Sequence, residues 1–94
     1  MFDFDMDEEL RVQLRKLARK DPVLREAVFK KVSEIISRDK QTIAAYKNLR
    51  HDLHQYKRVH ITAQYILIFS VDTAQNMIHF IELGHRDRVY KKKS

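Results

Sequence analysis

A chain of 94 residues, 44% of them hydrophobic, suits one folded domain over residues 1–94 with a single core, and excludes both a disordered polymer and a multidomain enzyme. Its longest apolar run, Tyr65 to Phe69, falls far short of the roughly 20 residues that cross a membrane. The acidic start Met1-Phe2-Asp3-Phe4-Asp5 lacks the apolar stretch of a secretory signal. No cysteine and a single glycine rule out disulfides, thiolate chemistry and a glycine-rich phosphate loop, so a cytoplasmic location is expected.

Phe2 and Phe4 alternate with Asp3 and Asp5, the period of a short strand. Asp5 with Glu8 three residues on resembles a capping box and predicts a helix from about Met6. Leu10, Leu14 and Leu17 form its apolar stripe. Asp21-Pro22 restarts a helix, with Asp as the cap and Pro in the first turn. Leu24, Val28, Val32, Ile35 and Ile36 supply the second stripe, and the tight link makes the two a helical hairpin. Asp39 is placed to cap a further short helix through Ala44 and Ala45, and Tyr46 to His54 reads as a connection.

From Gln55 the period changes to two. Val59 and Ile61 alternate with Arg58 and His60, and Tyr65, Leu67, Phe69 and Val71 with Ile66, Ile68 and Ser70. Asp72 to Asn76 is a polar turn, Met77 to Leu83 a last strand that Gly84 ends, and a short basic tail follows. The expected fold is α+β: an N-terminal strand and a helical hairpin packed on one face of a small twisted, mainly antiparallel sheet, in the order β-α-α-β-β-β. The other face is expected to be partly open, because Arg58 and His60 point away from Val59 and Ile61. A two-residue turn at Thr62-Ala63 would put Arg58 opposite Leu67 and mismatch the faces. An odd-length turn or a bulge is therefore expected, aligning Val59 with Leu67.

The net charge of +6 is one-sided. Residues 1–39 carry nine basic and nine acidic side chains, whereas residues 40–94 carry ten and four and hold all five histidines. Such a field favours an anionic partner, nucleic acid or an acidic protein. On a helix His51 and His54 could share a metal with His60, but no carboxylate is well placed beside them, and no metal site is expected. His79 sits in an apolar run and reads as a satisfied core or face histidine.

The order of elements, closing on Leu83-Gly84-His85-Arg86-Asp87-Arg88-Val89-Tyr90, resembles the RelE/ParE toxin superfamily. Phe2-Asp3-Phe4-Asp5, Lys57-Arg58-Val59-His60-Ile61 and Tyr65-Ile66-Leu67-Ile68-Phe69 carry the rest of the likeness, which covers nearly the whole chain. The resemblance implies the toxin of a toxin–antitoxin system. A RelE-like protein would be a ribosome-dependent endoribonuclease that cuts mRNA without metal or small-molecule cofactor. Its partners would be an acidic antitoxin, the ribosome and mRNA, with no membrane. The alternative is a non-catalytic binding protein, either a ParE-like gyrase inhibitor or a degenerate toxin that only binds its antitoxin.

The family's catalytic arginine maps onto Arg86, its terminal aromatic onto Tyr90, and a basic residue of the first meander strand onto Lys57 or Arg58. RNA cleavage by its own 2′-OH needs a proton removed, a proton given and charge stabilised on phosphate. Arg86 suits the last task, and His85 suits proton transfer. Tyr90 would stack on a base or protonate the leaving group. Arg58 joins these as a catalytic candidate, while Lys57, His60, Arg88, Lys91 and Lys92 are candidates to hold RNA. Two departures from the family pattern stand out: Ile66 replaces an arginine common in RelE-type proteins, and Asp52 is the nearest carboxylate to a glutamate that some relatives carry.

Overall fold

The computed structural model describes residues 1–48 and 56–93, the last four through their backbone. Strand β1 (Asp3–Met6) leads into helices α1 (Glu8–Lys20) and α2 (Pro22–Ile36). A single 3-10 turn (Ile43–Ala45) precedes β2 (Tyr56–His60), β3 (Tyr65–Asp72), β4 (Met77–His85) and α3 (Arg86–Lys93). The strands lie in the order β1-β4-β3-β2, with β1 parallel to β4 and the other pairs antiparallel.

The helical hairpin forms where expected. Asp21 caps α2 by accepting a hydrogen bond from the Leu24 backbone N–H (3.1 Å), and Pro22 occupies the first turn. Leu10 and Leu14 of α1, and Leu24, Val28, Val32 and Ile35 of α2, are buried against Leu67, Phe69, Ile78, Phe80 and Leu83 of the sheet. Asp39 accepts from the backbone N–H groups of Gln41 and Thr42, so the short helix it was expected to start is the 3-10 turn at Ile43.

The start of α1 differs from expectation. The helix begins at Glu8 with Asp7 in the cap position and no side-chain cap bond. Parallel pairing with β4 carries β1 through Met6, and the Asp5 carboxylate is engaged elsewhere. It accepts from His79 Nδ1, while Asp7 Oδ1 lies 2.7 Å from His79 Nε2. One imidazolium thus ties β1, the start of α1 and β4 together. The hydrogen bond to Asp5 raises the His79 pKa, burial opposes it, and the bond to Asp7 adds to the rise.

Val59 does lie opposite Leu67. Ile61 N–H bonds to the Tyr65 carbonyl (2.9 Å), which leaves the odd-length loop Thr62-Ala63-Gln64. A second parity change occurs in β4. Ile68 pairs with Glu82 but Phe69 pairs with Phe80, so Ile81 is a bulge. Phe80 and Leu83, an odd number of residues apart, both reach the helix-side core because of it.

The C-terminal segment corrects two expectations. Strand β4 continues past Gly84 to His85, and the basic tail is helix α3. The reason is Val89, which is buried with Ile66 and Ile68 on the face away from α1 and α2, flanked by Tyr56 and Ile81. The second face of the sheet is therefore partly covered. Gly84 makes the approach possible: a Cβ there would lie 2.6 Å from Val89 Cγ2 and 2.9 Å from Arg88 Nη2.

Two outcomes follow from this packing. Gly84→Ala should cost about 1–3 kcal/mol through overpacking, with amide exchange accelerating in α3 more than in α2. For His79 the folded-state pKa is raised, so its stabilisation is complete below the unfolded value of about 6.5 and is lost as pH rises through the folded value. Denaturant unfolding of the wild type and His79→Gln should differ most near about pH 6, and the gap should shrink toward about pH 9. A gap that widens with pH would refute the assignment.

Candidate functional site

The candidate residues collect at one end of the sheet. His60 is opposite Ile66, which is opposite Gly84. The end of β2, the start of β3, the end of β4 and the start of α3 thus share one rim. Two strand spacings, about 10 Å, separate the backbones of β2 and β4 there.

On β2 the two-residue period sends neighbours to opposite faces. Arg58 and His60 share the face of Tyr56, which packs on the Ile66–Ile68–Val89 cluster. Lys57 shares the face of Val59, which packs on the helix-side core. Asn48 runs antiparallel to Lys57 in an isolated bridge along the outer edge of β2. The Arg58 N–H donates to the Lys47 carbonyl (2.9 Å), Arg58 Nε donates to the Asn48 carbonyl (3.2 Å), and Lys57 Nζ donates to Asn48 Oδ1 (2.7 Å).

Tyr46 anchors this edge segment. Its hydroxyl donates to Glu34 Oε2 (2.9 Å) and accepts from Arg38 Nε (2.8 Å). The Arg38 guanidinium lies over its ring at 4.6 Å, and the ring meets Phe69 edge-on. The Tyr46 and Lys31 hydrogen bonds lower the Glu34 pKa, and burial raises that of Tyr46.

His85 ends β4 opposite Tyr65, and their rings meet edge-on with centroids 5.8 Å apart. Its Nδ1 accepts from the Asp87 backbone N–H at 3.4 Å, with Asp87 Oδ2 at 3.9 Å. Arg86 opens α3 with its side chain half exposed and Nε 3.7 Å from Asp87 Oδ1. Its backbone N–H donates to the Gln64 carbonyl (2.8 Å), pinning the start of α3 to the β2–β3 loop. Arg88 lies back over Gly84 near Glu82 and lines a cleft with Glu9, Gln13 and Lys16.

The rim carries His60, His85 and Arg86, with Arg58 one step inward on the same face as His60; His85 shares the opposite, helix-side face with Leu83 and Tyr65, so the two histidines project from different faces. Lys57 is also on the helix-side face. The side chains of Tyr90, Lys91 and Lys92, and all of His51, Asp52 and His54, lie outside the described residues. Among the described residues no three His, Asp or Glu side chains are arranged to hold a metal. Ile66 is fully buried beneath Val89, so a cation at that position would be desolvated under α3. Sequence reading missed Asn48, because a lone asparagine in a connection has no periodic signature. His79 is a satisfied face histidine, as expected, but sequence reading did not foresee its partners Asp5 of β1 and Asp7 at the start of α1.

No family model matches the chain. The chain is 38% identical over 93 residues to "Putative toxin RelE4" of Methanocaldococcus jannaschii, covering 99% of this chain and 95% of that one. An uncharacterized protein of Methanosarcina mazei is 30% identical over 90 residues, covering 96% and 100%. Among solved structures, the isolated E. coli RelE toxin superposes with a TM-score of 0.68 at 20% identity over the full length of both chains. A double arginine-to-alanine variant of E. coli RelE, in complex with a RelB antitoxin peptide, gives the same score at 22% identity, covering 99% of this chain and 94% of that one. With the fold shared end to end and the sequence likeness to RelE4 spanning nearly both chains, the protein belongs to the RelE toxin family.

Proposed function

We propose that this toxin is a ribosome-dependent endoribonuclease that cuts mRNA by attack of a 2′-OH on the adjacent phosphorus. The observation that supports the reading is the row of basic side chains along one end of the sheet, with Arg58 and His60 on the α3 face, His85 on the helix-side face beside Tyr65, and Arg86 at the start of α3. In the reaction a proton leaves the 2′-OH, the 2′-oxygen bonds to phosphorus, and the 5′-oxygen departs with a proton. Arg86 stabilises the extra charge on the phosphate, its guanidinium gripping two oxygens. His85 is the proton-transfer group: as an imidazolium it gives a proton to the departing 5′-oxygen and becomes a neutral imidazole, with Asp87 Oδ2 3.9 Å from its Nδ1. Arg58 supports the phosphate from β2. Tyr90 stacks on a base or shares in proton transfer, and His60, Arg88, Lys91 and Lys92 hold the RNA backbone.

The 94 residues act as one domain in the cytoplasm, and no described helix is long and apolar enough to cross a membrane. An acidic antitoxin neutralises the toxin. The structure of E. coli RelE with a RelB peptide supports such a partner, as does the apolar surface at Val23 and Phe29. The buried Ile66 favours a second reading, in which the protein lacks a cation its relatives use and only binds its antitoxin or gyrase. Translation of a defined message with purified protein, followed by primer extension, separates the two: cuts inside the decoding-site codon support the nuclease, and an intact message refutes it.

Arg86→Ala should slow cleavage on programmed ribosomes by about 10²–10³, the effect of removing one preorganised electrostatic donor. Arg86→Lys should rescue poorly, because an ammonium makes no bidentate contact. Arg88→Ala should lower cleavage far less. Equal losses at the two arginines would show that bulk charge, and not one placed guanidinium, drives the reaction. Binding to RNA or ribosomes should weaken steeply from low to physiological salt, and salt-insensitive binding would overturn the nucleic-acid reading.

A further inference from the structure

Lys57 and Arg58 are adjacent on an edge strand and face opposite sides of the sheet, yet both reach the same residue. Lys57 Nζ holds the Asn48 side-chain oxygen at 2.7 Å, and Arg58 Nε holds the Asn48 main-chain oxygen at 3.2 Å. We infer that Lys57 and Asn48 form a positioning clip for Arg58: the ammonium fixes the Asn48 side chain, and with it the carbonyl that sets the plane of the Arg58 guanidinium. In this role Lys57 is not an RNA contact, and it acts from the face opposite Arg58.

The chemistry favours the assignment. A lysine side chain on an edge strand has several rotatable bonds and, left in water, samples many directions. Here its charge is spent on a neutral amide oxygen in a charge-assisted bond. The segment it grips is anchored at its other end by Tyr46, through Glu34 and Arg38 of and beyond α2 and through Phe69 of the core. The Arg58 backbone N–H bonds to the same segment at Lys47 (2.9 Å). A guanidinium needs a fixed plane to make a bidentate phosphate contact, and an acceptor on Nε supplies one. The clip bears on function only if Arg58 serves the nuclease reaction, so that part rests on the reading above.

The test compares Asn48→Ala, Lys57→Met and the double variant, each with Arg58 intact and with Arg58→Ala. Three quantities are read: cleavage on programmed ribosomes, the salt slope of RNA binding, and the hydrogen-exchange rate of Arg58 Nε–H by NMR. With Arg58 intact, each single variant should lower cleavage about tenfold, the worth of one hydrogen bond to a charged group. The double variant should lose no more than either single one, and with Arg58→Ala none should have a further effect. Arg58 Nε–H exchange should accelerate in both single variants, and the salt slope should not change. A Lys57→Met slope lower by about one, or a loss that adds to that of Asn48→Ala, would make Lys57 a phosphate contact and overturn the clip. Unchanged Nε–H exchange would overturn it as well. If the wild type cuts no message, the nuclease reading falls, while the exchange measurement still decides whether the clip exists.

Discussion

Strand β4 has to supply side chains to two hydrophobic clusters on opposite faces of one sheet, and to pair with a parallel neighbour on one side and an antiparallel one on the other. A regular strand cannot send both Phe80 and Leu83 to the helices, because the side-chain period is two. The extra residue at Ile81 resolves this. It keeps Phe80 and Leu83 in the main core and gives Ile81 to the second cluster. Past the bulge the strand ends at Gly84 and His85, where the missing Cβ lets α3 turn back over the sheet. The candidate site sits on this last stretch, so the parity change in β4 also decides which way His85 faces and where Arg86 emerges.

The two faces of the sheet do different work. The helix side, built on Phe69, Phe80 and the stripes of α1 and α2, is a dry core that contains most of the buried residues. The far side is small, with Val89 as the residue of α3 that seals Ile66 and Ile68. Burying a cation at Ile66 under that helix would cost several kcal/mol without a partner. The substitution and the seated helix are therefore consistent with each other. At the end of the sheet Arg58 and His60 of β2 stand on the α3 face, His85 of β4 on the helix-side face, and Arg86 at the start of α3.

Charge follows the same division. Five of the nine acidic side chains of the first half lie at β1 and the start of α1, where Asp5 and Asp7 pair with His79 and Glu8 and Glu9 face the positive end of the helix dipole. Arg19 and Lys20 occupy the last turn of α1, where that dipole favours cations. Local pairing and helix electrostatics thus account for these charges of residues 1–39.

The sequence by itself determined the elements with a strong local signal. Apolar spacing of three and four set the helical stripes of α1 and α2, Asp21-Pro22 set the start of α2, and alternation set β2 and β3 together with the need for an odd-length turn. The closing Gly-His-Arg motif pointed to the family before any contact was known. Tertiary structure alone decided the rest, because the deciding partners are far apart in the chain. Asp5 was unavailable to cap α1 because His79, on a strand 74 residues away, binds it. The basic tail became a helix because one valine found a hydrophobic seat on β3. Lys57 and Arg58, adjacent cations in the sequence, make different contacts because an edge strand shows them to opposite faces, one reaching the side-chain oxygen of Asn48 and the other its main-chain oxygen.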